Sequence, residues 1–175
     1  VWMDRFTIGN LELYHTSSQN AVTLLDVIDK TISPMGGRLL KRWVALPLKN
    51  KSKIINRHEV VSYLLKKQPI LTAIQTNIKC IGDIERLISK VATGKVSPRE
   101  VVQLKNSLEV ILPIKKEAEN AKNNAIKTIG ENLQDCKLLR EKITNTLNED
   151  APVLIQKGNA IAEGVSEELD ELRSI

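Results

Sequence analysis

The chain has 175 residues and a net charge of +5; 42% of it is hydrophobic but only 3% aromatic. One domain of that length buries a substantial core, and here the core must be aliphatic. No apolar run approaches the roughly 20 residues that cross a bilayer, and no basic-then-apolar leader opens the chain. Neither a membrane span nor a secretory signal is expected, and a cytoplasmic location is.

Residues 2–13 alternate loosely, with Trp2, Phe6 and Ile8 in one phase, and read as a strand ending in a turn at Gly9-Asn10. The next clear signal is a helix from Pro34 to Leu46. Ser33 is placed to accept from the orphan amides of its first turn, Pro34 presets φ at the first helical position, and Pro47 ends it. Leu40, Trp43 and Val44 share one face, opposite Arg38, Lys41 and Arg42. Trp43 therefore reads as a core residue. Residues 30–67 hold ten Lys or Arg against Glu59 alone, a local +9 that leaves −4 elsewhere. Within that block Arg38, Lys41, Arg42, Lys49, Lys51 and Lys53 are candidate weak contacts to phosphate, though a solvated helix surface explains the same pattern.

A helix capped by Ser52 is predicted to run to about Lys67, with Tyr63 packed beside Leu64 and Leu65. Two shorter helices follow, at about 70–80 and 83–93, divided near Gly82 and closed by Gly94. Ser97-Pro-Arg-Glu100 is a capping box that opens a long helix to about Lys122, which Pro113 should bend or divide. More helix is predicted over 124–148, with an interruption near Gly130. Residues 152–162 read as a hairpin about Lys157-Gly158, so 1–13 and 151–163 would form a small sheet joining the two ends. Ser166 then caps a final acidic helix whose Val165, Leu169, Leu172 and Ile175 form an apolar stripe. The predicted fold is mainly α, an elongated bundle of about six to eight helices with that minor β element.

Catalytic and metal motifs fail on inspection. His58-Glu59 begins a zinc-binding helix pattern, but Ser62 stands where its second histidine belongs. Gly94-Lys95 lacks the rest of a phosphate-binding loop, and Met35-Gly36-Gly37 lies inside a capped helix. No Gly-x-Ser-x-Gly elbow occurs. Cys80 and Cys136 have no Cys or His at ligand spacing and read as buried, reduced thiols. The expectation is a chain that is not an enzyme by itself and holds no metal or cofactor.

The helix at Ser33 carries a more specific pattern. Pro34-Met35-Gly36, Arg38, Leu40, Trp43 and Pro47 closely resemble the signature that opens the helical core domain of the MutS family of DNA mismatch-repair ATPases. Asp4-Arg-Phe-Thr-Ile-Gly-Asn-Leu-Glu-Leu13, Leu24 to Asp29, Gly82-Asp-Ile-Glu-Arg86 and Ile161 to Arg173 resemble further landmarks in family order. Met3 replaces a usual leucine and Ser33 a usual threonine.

The resemblance implies that 1–175 is a core fragment of a bacterial protein, starting inside an element and ending, over 166–175, at the start of a truncated lever helix. The parent would bind ATP and magnesium, recognise mismatched double-stranded DNA, form a homodimer and recruit a MutL-type partner. This segment would couple ATP binding to clamp closure on DNA. The resemblance also implies that the apolar stripe of the last helix lacks its packing partner, so the fragment would fray there or self-associate. The alternatives are an autonomous basic adaptor for nucleic acid and a protein-interaction bundle.

Overall fold

A computed structural model describes residues 3–16 and 21–175. Among them are ten α-helices: α1 (Arg5–Asn10), α2 (Leu24–Ile28), α3 (Pro34–Ala45), α4 (Lys51–Lys66), α5 (Gln68–Cys80), α6 (Ile84–Ala92), α7 (Pro98–Glu119), α8 (Asn124–Asn132), α9 (Lys137–Thr146) and α10 (Glu167–Ser174). The chain is mainly α, as its periodicity predicts. The two helices beyond the expected six to eight are accounted for by α1 and α2, short elements at the N-terminal end.

α7 is the spine. At ~1.5 Å per residue its 22 residues extend ~33 Å, and α5, α6, α8 and α9 all pack on it. Leu104 and Leu108 of α7 meet Leu87 of α6 in one buried cluster, with Ile84, Ile111 and Cys136 against it. At the other end of α7, Ala118 joins Ala121 and Ile126, covered by Val60, Tyr63 and Leu64. The core is aliphatic, as the composition requires, and Tyr63 packs on it while its hydroxyl accepts from the Lys122 amide at 3.3 Å.

Small residues set the closest approaches. A Cβ on Gly130 would lie 2.8 Å from both Ala118 Cβ and the Glu119 backbone nitrogen, so glycine is what lets α8 meet α7. Buried Ser107 donates to the Gln103 carbonyl and accepts from the Gly82 amide at 3.1 Å, fixing the α5–α6 turn on the spine.

The capping box at Ser97 forms as read: the Ser97 hydroxyl accepts from the Glu100 amide and Glu100 accepts from the Ser97 amide. α7 then continues undivided through Pro113, which lies on its exposed side. The Lys115 ammonium donates to the Leu133 carbonyl at 2.7 Å, satisfying the end of α8. Asn50, not Ser52, caps α4, because its side chain accepts from the Lys53 amide at 3.0 Å.

The expected sheet between the ends is not what joins them. The Asp4 carboxylate accepts from the Thr7 amide at 2.7 Å and starts a helix over 5–10 in place of the predicted strand. Phe6, which a strand would have buried, is 84% exposed. Val1 and Trp2 of that predicted strand lie outside the described residues. At the other end, Ile155–Lys157 is a 3-10 turn rather than a hairpin arm. Among the described residues the β pairing is a single antiparallel bridge between Leu147 and Ile161, flanked by Asn148 N–H to Ala160 and Ala162 N–H to Thr146. It ties the end of α9 to 160–162, while the Arg99 amide and guanidinium bond the carbonyls of Pro152 and Ala151. The C-terminal region is thus fastened to α7.

Candidate functional site

The signature residues lie on α3 and the turn into α4. Ser33 caps as predicted, its hydroxyl accepting from the Gly36 amide at 3.1 Å, with Pro34 at the start of the helix. The Gly37 amide is taken by the Ser33 carbonyl. A Cβ on Gly36 would come within 3.0 Å of Ser33 Oγ, and one on Gly37 within 3.3 Å of Thr31 Oγ1. The two glycines therefore make room for the 29–33 loop, which Asp29 stiffens by accepting from the Thr31 amide and hydroxyl. With both amides engaged inside the helix, Met35-Gly36-Gly37 offers no phosphate cradle.

Arg38 has a more specific role than a free surface cation. Its guanidinium donates twice to Asp83, at 2.6 and 2.8 Å, and to Glu85 through Nε at 2.8 Å and Nη2 at 2.6 Å. This forked, charge-assisted geometry straps α3 to the start of α6. Asp83 also accepts from the Arg86 amide as the cap of α6. The Arg38 hydrogen bonds hold the Asp83 carboxyl below the usual carboxylate range, and the two acids raise Arg38 further.

The other singled-out residues diverge. The Lys41 ammonium lies 4.9 Å from the Tyr14 ring centroid, and the Tyr14 hydroxyl donates to the Lys41 carbonyl. Arg42, Lys49, Lys51 and Lys53 are exposed around the α3–α4 turn. Met35 and Leu40 are half-buried, and Pro47 follows the C-cap Leu46. Trp43 is not a core residue. It is 40% exposed, and the Arg57 guanidinium of α4 stacks 3.5 Å above its ring. Its position at the edge of the inward face of α3 lets one side of the indole carry a cation.

A second constellation joins α6 to α7. The Lys90 ammonium is paired with Glu100, the acid of the capping box. That hydrogen bond, followed by the Ser97 amide, holds Glu100 down to about 2. Asp83, Arg86, Lys90, Glu100, Asn106 and Ser107 line an open groove of about 620 Å³ beside it. Cys80, expected buried, is exposed near this groove, and Cys136 is half-buried against the α6–α7 cluster; both are free thiols.

Sequence reading missed both partners of Arg38, although Arg38 and the 82–86 segment are each family landmarks. Their shared signal was charge complementarity between two recognisable motifs. It also missed Arg57 on Trp43, for which spacing gives no cue.

These contacts define a helical scaffold domain, one whose signature residues join helix to helix. The chain matches the MutS domain III family model over residues 6–174 and belongs to that family. Over all 175 residues it is 68% identical to the DNA mismatch repair protein MutS of Flavobacterium johnsoniae. It is 65% identical to that of Christiangramia forsetii and 49% identical to that of Phocaeicola vulgatus, again over the whole chain. The chain spans about a fifth of the length of each of these relatives. No helix among the described residues is long and apolar enough to cross a membrane.

Proposed function

We propose that this domain is the stiff connecting core of a longer bacterial mismatch-repair protein. In that protein, sites for ATP with magnesium and for mismatched duplex lie outside this segment, and the segment transmits the state of one to the other. The carrying observation is α7, a single capped helix on which α5, α6, α8 and α9 pack. A rod held along its length moves as one body, which is what coupling between distant sites requires. The Arg38–Asp83/Glu85 and Lys90–Glu100 pairs fix the helices beside it and keep the geometry single-valued. α10 would continue as the lever toward the clamp; its Leu172 is 64% exposed, in keeping with a stripe that awaits a partner or a second copy. A cytoplasmic homodimer that recruits a MutL-type protein completes the reading, which rests on the family membership.

The test softens the spine without touching the core. Gln103 and Asn106 are exposed on α7, and glycine at each costs about 1 kcal/mol of helix. In the full-length protein, Gln103→Gly/Asn106→Gly should retain mismatch binding but lose most of the ATP-driven release from mismatched duplex. Release at the unaltered rate, with the domain still folded, would contradict the proposal.

A further inference from the structure

α10 is held differently from the other helices of the C-terminal half. None of its residues is buried, and the close helix pairings among the described residues all lie within α4 to α9. Its attachment is polar and gathered at one place. Arg173 Nη2 donates to the Ile161 carbonyl at 3.0 Å, while Nη1 lies 3.3 Å from one oxygen of Asp170. The other oxygen of Asp170 accepts from the Gly164 amide at 2.7 Å. Gly164 has φ +79°, a bend open to glycine at no steric cost. Two side chains almost one turn apart on α10 thus reach back to the segment from which the helix issues.

The Ile161 carbonyl has a second donor. The Asn148 side-chain amide meets it at 2.9 Å and also donates to the carbonyl and side-chain oxygens of Asn159, at 3.0 and 2.8 Å. A carbonyl oxygen has two lone pairs, so both donors are accommodated together. Asn148 follows the end of α9, which packs on α7. The segment that Asn148 holds is itself embedded, with Ala151 and Ala160 buried. One oxygen therefore joins the arginine of α10 to the body built on α7. Hydrogen bonds weaken steeply as their angles close, so this joint specifies a direction as well as a contact.

We propose that Arg173 is a positioning residue that sets the angle at which α10 leaves the body. This inference rests on the reading of α10 as the start of the lever, and it names the joint through which lever and spine follow each other. Asp170 orients the guanidinium, and Asn148 keeps the Ile161 carbonyl where the guanidinium meets it. A role confined to stability would leave the direction of α10 unchanged whenever the chain is folded.

The direction is read as a distance between spin labels on exposed positions of α7 and α10, Lys116→Cys and Glu171→Cys, in the 175-residue chain with Cys80→Ser and Cys136→Ala. Labelled chain is diluted into unlabelled chain, so that only distances within one copy count. The parent should give one narrow distance. Arg173→Gln, which keeps good helix propensity, should lose it to a broad distribution at unchanged circular dichroism. A distribution in Arg173→Gln as narrow as the parent's would overturn the proposal. So would broadening accompanied by loss of amide protection across 167–174, since Arg173 would then only hold the helix together. In the full-length protein Arg173→Gln should slow ATP-driven release from mismatched duplex about tenfold, the effect of losing one charge-assisted hydrogen bond from the coupled state. Normal release in Arg173→Gln, where Gln103→Gly/Asn106→Gly loses it, would overturn the inference and leave the coupling reading standing. Normal release in both variants would overturn that reading and this inference with it, whatever the distances show.

Discussion

Around α7, helices are held by buried aliphatic side chains: Leu87, Leu104 and Leu108 at one end, Ala118, Ala121 and Ile126 at the other. In α1 to α3 no helical residue is fully buried, and contacts are made by caps, an arginine fork and two cation–ring pairs. α3 carries a local helix signal as good as that of α7. The difference teaches that capping and periodicity establish where a helix forms, while burial decides how firmly it is kept. α7 is therefore expected to behave as the rigid element and α3 as a helix strapped on from outside.

The largest effect should come from removing spine packing. Leu108→Ala should cost about 2–5 kcal/mol, the range for buried leucines, read as a lower midpoint in chemical denaturation. Gly130→Ala comes next. Its added methyl meets backbone, which cannot yield as a flexible side chain would, so a cost of about 1–3 kcal/mol is expected despite the better helix propensity of alanine. Trp43→Ala should cost less than a core tryptophan, about 1–2 kcal/mol from partial burial and the Arg57 stack. A loss as large as that of Leu108→Ala would erase the distinction between the regions.

The smallest effect is one of pH. Glu100 has an ordinary value of 4.5 and is held at about 2 in the folded chain. The stabilisation that its pairing gives is thus complete above about pH 4.5 and is lost as pH falls toward about 2. Melting temperature should fall less steeply across that window in Glu100→Gln than in the parent chain. Exposure to solvent keeps the difference small.

Much of this architecture is legible in the sequence because its signals are local. Ser33-Pro34, Ser97-Pro98 with Glu100, and Ser166 each start a helix where they stand, since a cap needs only three neighbouring residues. The N-terminal strand failed for the same reason in reverse. Alternation at Phe6 and Ile8 resembles a strand, but Asp4 caps a helix and the described residues include no strand that could bury Phe6. Long-range partners were the least legible. Arg38 and Asp83 are 45 residues apart and Trp43 and Arg57 are 14 apart, and a single sequence marks neither as a pair. Consequently Arg38 looked like a free cation and Trp43 like a core residue until their neighbours were seen.

Native-state amide exchange on the 175-residue chain tests the central contrast most directly. Amides of α7 between Leu104 and Ala118 should exchange only through global unfolding, so their protection should follow Leu108→Ala. Those of α3 between Leu40 and Ala45 should open locally, with lower protection that does not change with Leu108→Ala. Equal protection in α3 and α7, falling together in Leu108→Ala, would show one uniform cooperative unit and contradict the account of a rigid spine with a strapped outer helix.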